Sequence, residues 1–90
     1  MRLVWKRSAK ADRKEVFAYV EKNNLVAADT LDALFEEKAS LLAHYPHMGR
    51  TGRLVGTREW VVHPSYILVY EVSEEAVHIL RVLHTARRWP

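Results

Sequence analysis

Residues 66–72 read YILVYEV. In an extended chain Tyr66, Leu68 and Tyr70 point to one side and Ile67 and Val69 to the other, so the segment is apolar on both faces. Such a run is expected inside a sheet, covered on at least one side. Its neighbours are equally rich in strand formers: TREWVVH at 57–63 and AVHILRVLH at 76–84. His63-Pro64-Ser65 and Ser73-Glu74-Glu75 part the three segments. Connections this short join antiparallel strands.

Upstream the periodicity changes. RLVWK, residues 2–6, alternates charged and apolar side chains and predicts a short strand. Ser8 offers an N-cap for a helix running to about Asn23, with Asp12 and Glu15 early in it and Val16, Phe17 and Val20 on its apolar side. Asn24 offers a second N-cap. From Ala27 apolar positions recur at Leu31, Leu34, Phe35, Leu41, Leu42 and Tyr45, the stripe of a helix about five turns long. With hardly any loop between them the two helices should form an antiparallel hairpin, ended by Pro46 and Gly49. HMGRTGRLVG, residues 47–56, holds all three glycines and is expected as an irregular loop. The order is β-α-α-β-β-β. It predicts an α+β fold in which residues 1–90 form a single domain, the helical hairpin packed on an antiparallel β-sheet. Two helices cannot cover both faces of that sheet. The face bearing Ile67 and Val69 should stay partly open and apolar, as binding surfaces are, or be closed by the 46–56 loop or a homodimer.

Composition narrows the functional classes. Apolar residues make up 49% of the chain, enough for a core and too many for a disordered segment. With no cysteine, neither a disulfide framework nor a thiolate nucleophile or metal ligand is available. The N-terminus passes from a short apolar run into charges, unlike a secretory signal, and no apolar run approaches the ~20 residues that span a bilayer. A soluble, cytoplasmic protein without a membrane partner is expected. Net charge is +3, and every cation after Lys38 is an arginine. The planar guanidinium suits carboxylate or phosphate and stacks on aromatic rings, which points to an anionic partner.

GRLVGTREWVV, then YILVYEV, then ILRVLHTARRWP, with ASLLAHYPHMGR at the end of the second helix, resembles the RelE/ParE superfamily of bacterial type II toxin–antitoxin toxins. The similarity spans nearly the whole chain. It implies a small basic toxin held inactive by a cognate antitoxin in a hetero-oligomer. The antitoxin segment that wraps the toxin would cover the open sheet face, with Trp60, Ile67 and Val69 as the expected contacts. RelE-like members cleave mRNA at the ribosome, whereas ParE-like members poison DNA gyrase.

Metal-free RNA cleavage needs a group to take the 2′-OH proton, cations for the phosphorane and an acid for the leaving oxygen. In the RelE-like pattern the strand matching YILVY carries an arginine second, where this chain has Ile67. Two lysines of that pattern fall on Arg58 and Trp60, and its final tyrosine has no counterpart before Pro90. Arg58, His84 and Arg87 are what remains of a catalytic set, no cofactor is implied, and the ending LHTARRWP resembles the ParE-like members. The lead expectation is therefore a gyrase inhibitor, the alternative a ribosome-dependent mRNA endonuclease. Arg87, Arg88 and Trp89 are expected to contact the target. Arg81 has two readings: a bridge to Glu59 or Glu71 across the sheet, or a cation offered to the target. His84 is expected to hold a structural hydrogen bond. His44 and His47 flank Pro46 without a third ligand in view, so no metal site is expected.

Overall fold

The computed structural model describes residues 1–86. Strand β1 (Arg2–Trp5) leads into helices α1 (Arg7–Glu21) and α2 (Leu25–His44); strands β2 (Arg50–Thr51), β3 (Arg58–His63), β4 (Tyr66–Val72) and β5 (Ala76–His84) follow. The strands form one sheet in the order β1-β5-β4-β3-β2. Two features correct the sequence-based expectation. The sheet is mixed, because β1 lies parallel to β5, Arg2 opposite Ala76 and Trp5 opposite Ile79. A two-residue strand, β2, also forms inside the expected irregular loop and pairs Arg50 with Glu59. Alternation along a strand identifies its faces but not a partner distant in sequence, and a parallel neighbour requires a long crossover, which the helical hairpin supplies.

The helix starts show how local signals compete. Asn24 caps α2 as expected, its side chain accepting from the Ala27 N–H at 3.0 Å. Ser8 caps nothing: α1 starts two residues earlier than that cap would give, with Lys6 at the cap position and no side-chain cap. The Lys6 N–H is held by the Ile79 carbonyl at 3.0 Å, so sheet pairing runs straight into the first turn and leaves Ser8 inside it.

Both helices cover one face of the sheet. Ala9, Phe35, Ala39 and Leu42 meet Val62, Tyr66, Leu68, Tyr70, Val77, Ile79 and Val82 in the buried core, with Leu3, Trp5 and Trp60 packed against it. Phe35 meets the Tyr66 ring edge-on, centroids 5.4 Å apart. Arg13 fastens the hairpin from outside: it forks onto Asp32 at 2.9 Å, reaches Glu36 at 2.7 Å and lies 4.3 Å above the Trp5 ring.

The opposite face is less open than expected. Val69 is fully buried and Leu83 nearly so, Ile67 is half-buried, and Val61 is exposed. The chain from Pro46 to Thr57 wraps the β3 edge. On the core side the buried Tyr70 hydroxyl donates to the Pro46 carbonyl and accepts from the Gly49 N–H, both at 2.8 Å. On the far side the Arg53 N–H reaches the Glu59 carboxylate at 2.9 Å. The loop thus takes part of the covering role considered for it above.

Candidate functional site

The residues expected to act divide into separate neighbourhoods. Arg58 stands opposite Tyr70, and its guanidinium donates to the Gly49 carbonyl at 2.8 Å and the His47 carbonyl at 3.5 Å. It is a strut under the loop. His84 stands opposite Tyr66, at the other end of β4. Four residues of strand and two strand spacings separate their backbones by roughly 16 Å. Arg87, Arg88 and Trp89 lie outside the described residues.

His84 borders a hollow of about 510 Å³ between α1 and the ends of β4 and β5, shared with Asp12, Glu15, Tyr19 and Tyr66. Its Nδ1 accepts from the Ala86 N–H at 3.0 Å, and its ring packs against Tyr66 with centroids 5.3 Å apart. The structural hydrogen bond expected for this histidine is therefore present. An accepting Nδ1 leaves the neutral ring's proton on Nε2.

Arg81 pairs with neither Glu59 nor Glu71. Its Nε donates to Asp12 at 2.8 Å and a second guanidinium nitrogen to the same carboxylate at 3.1 Å. Asp12 also accepts from the Val82 N–H at 2.9 Å, so one buried carboxylate joins α1 to β5. That hydrogen bonding holds the Arg81 guanidinium above its ordinary pKa, against the opposing effect of burial. A register shift on β5, where Tyr70 faces Ile79 and Val69 faces Arg81, separates Arg81 from the row of Ile79 that simple alternation gave it. Glu59 is taken from the other direction, by the Arg53 N–H and by Arg50 at 3.3 Å.

The expected antitoxin contacts do not share one surface. Trp60 packs against the core beside the helices, with the Lys38 ammonium 5.8 Å from its ring centre. Ile67 and Val69 lie on the opposite face, and Val69 offers no surface at all. Reasoning from sequence missed three organising groups: Asp12, Glu59 and the Tyr70 hydroxyl. Only the acidic type of the first two was visible there, without their burial or partners.

Tyr70 provides a pH test of this arrangement. Burial raises its pKa above 10.0, opposed by the Gly49 N–H and the nearby Arg58; burial, followed by the influence of Tyr19, also raises Tyr66. A raised folded-state pKa adds stability that is fully present below the unfolded value, about 10, and is lost as pH climbs through the folded value. Urea midpoints should hold steady up to about pH 9.5 and fall above pH 10. Tyr70→Phe should cost about 1–2 kcal/mol at pH 7, by stranding the Gly49 N–H and Pro46 carbonyl, and make the alkaline loss shallower. An equally steep loss in that variant would assign the pH dependence elsewhere.

A helical hairpin lies on one face of a five-stranded mixed sheet closed at its edge by an arginine-bearing loop, and comparison with known proteins identifies this small α+β domain as a toxin of the RelE/ParE superfamily. The family model for the ParE toxin of the type II toxin–antitoxin system parDE matches residues 3–89, and the chain belongs to that family. It is similar to toxin Y4kP of Sinorhizobium fredii, 38% identical over 90 residues that cover 99% of this chain and 93% of that protein. Toxin RelE2 of Caulobacter vibrioides is 35% identical over 85 residues, 94% of this chain and 96% of that one. Among solved structures, a chain of the chromosomal ParDE system from P. aeruginosa shares the fold with a TM-score of 0.81 at 23% identity, over 93% of this chain and 95% of its own. The protein is thus the toxin of a type II toxin–antitoxin module, a class that implies a cognate antitoxin. Among the described residues no helix is long and apolar enough to cross a membrane.

Proposed function

We propose that this toxin acts in the cytoplasm as an inhibitor of DNA gyrase and is neutralised by its antitoxin in a hetero-oligomer. The observation that carries this reading is the separation of Arg58 from His84. Phosphoryl chemistry on RNA requires its proton-transfer group and its cation at one phosphate, within hydrogen-bond reach. Here the cation supports a loop at one end of β4, and the imidazole packs against Tyr66 at the other. Neither is placed to serve the other. On this reading Arg87, Arg88 and Trp89 contact the enzyme, Arg81 serves through its link to Asp12, and Trp60 and Ile67 lie under two separate parts of the antitoxin.

The test is a pair of measurements after induction in one strain: trapping of covalent gyrase–DNA complexes and primer extension on abundant messages. Trapped complexes without new message ends are expected, and deleting residues 87–90 should abolish trapping. New ends inside codons, lost in His84→Ala, would make the protein an mRNA endonuclease instead.

A further inference from the structure

The loop between β2 and β3 carries an apolar tip that the fold itself does not use. Leu54 is 39% exposed and Val55 is fully exposed at 103%. Turn tips ordinarily carry polar residues or glycine, and a β-branched side chain gains nothing there from its own backbone. The tip is nevertheless firmly built. The Gly52 N–H donates to the Thr57 carbonyl at 2.7 Å, and the Thr57 N–H and hydroxyl both donate to the Leu54 carbonyl, at 3.1 and 2.7 Å. Gly56 takes a positive φ of 82° that closes the turn, and a Cβ added there would meet nothing within 4 Å. Beneath the turn, Glu59 anchors the Arg53 N–H and the Arg50 guanidinium.

The surface around the tip is basic, with one buried carboxylate, Glu59, paired to Arg50 beneath it. Residues 46–58 contain Arg50, Arg53 and Arg58 and no acid, while Glu59 beneath them is buried. Arg50 and Arg53 are both exposed beside the tip.

We infer that Leu54 and Val55 form a docking knob that enters an apolar pocket rimmed by carboxylates on the toxin's target protein. Convexity and pre-organisation decide between partners. A segment that orders on binding wraps grooves, whereas a rigid projecting tip fits a concavity already present in a folded protein and loses little entropy on insertion. The arginines supply charge complementarity at the rim, which governs encounter and orientation. The inference rests on the reading above that the target is a protein, gyrase.

Val55→Asp and Val55→Leu separate the possibilities, because this fully exposed side chain leaves folding indifferent to either change. Each variant is produced with its antitoxin to compare melting temperature and antitoxin co-purification with the wild type; growth arrest is read on induction of the toxin alone, and capture of purified gyrase on toxin freed of antitoxin. Val55→Asp should melt and bind antitoxin as the wild type does, yet lose about tenfold or more in gyrase capture and no longer arrest growth; Val55→Leu should keep both activities. Unchanged capture and arrest in Val55→Asp would overturn the knob, as would loss of antitoxin co-purification, which would assign the tip to the antitoxin. If the wild type arrests growth but captures no gyrase, the gyrase reading fails by itself. Growth arrest then judges the knob: its loss in Val55→Asp alone supports a target contact, and its persistence overturns one.

Discussion

Replacing Asp12 with alanine is expected to destabilise the toxin by about 3 kcal/mol, a large share of what holds a domain of this size together. The carboxylate is buried and accepts three hydrogen bonds, two from the Arg81 guanidinium and one from the Val82 N–H. Alanine would take away the carboxylate that the partly buried guanidinium donates to twice and leave a buried backbone donor without that acceptor. Breaking a buried pair from one side costs about 3–5 kcal/mol, and an orphaned N–H about 1–3 kcal/mol. The Arg81 side chain keeps 31% exposure, so water moderates the first penalty and the sum falls near the lower end. Urea denaturation at pH 7 should show the loss as a lower midpoint, and Asp12→Asn, which keeps an acceptor for Val82, should recover a part of it. A change below about 1 kcal/mol in Asp12→Ala would mean that α1 and β5 are held by packing alone.

Gly49→Ala should have a comparable effect, about 2–3 kcal/mol, for a steric reason. A Cβ at this position would lie 2.7 Å from the Tyr70 hydroxyl, 2.8 Å from its ring and 2.9 Å from the Glu59 carbonyl. The tyrosine is fully buried and the carbonyl is backbone of β3, held between its pairings with β2 and β4, so neither can move aside cheaply. The backbone of Gly49 must shift instead, disturbing its N–H bond to Tyr70 and its carbonyl bond to Arg58. Those contacts fasten the first part of the 46–57 segment to the sheet. Thermal melting should record a drop of roughly 8–20 °C, and amide exchange should accelerate most within 50–57. Exchange that rises uniformly over the chain would contradict the local origin.

These two residues mark how far the sequence could be read. The β-α-α-β-β-β order was legible because each segment has its own period and connectors of a few residues decide between hairpin and crossover. YILVYEV declared its two buried faces by composition alone. The neighbour of β1 was not legible, since pairing it with β5 depends on where the helical hairpin delivers the chain. The environment of Arg81 was hidden by one shifted residue pair on β5, which alternation cannot anticipate. For the candidate site, the sequence supplied residue types, and Arg58 and His84 looked compatible with one another as a pair of letters. Only their registers opposite Tyr70 and Tyr66 separate them. Glu59 shows the same limit from the other side: in the sequence it is a possible bridge partner for Arg81, while its burial and its bonds to Arg50 and the Arg53 N–H come only with the 46–57 segment that closes over it.

The parallel edge has a further consequence, for the order in which this chain can fold. The helical hairpin is local and can assemble as soon as it is made, whereas β1 must wait for β5, and the Asp12–Val82 bond joins positions 70 apart. Contacts that distant are slow to form because a long loop must close before they return any energy. During synthesis the first strand therefore stays unpaired until β5 has emerged. A shortened product lacking β5 would lose the strand that bonds both β1 and β4. Folding of the sheet is in this way tied to the emergence of β5.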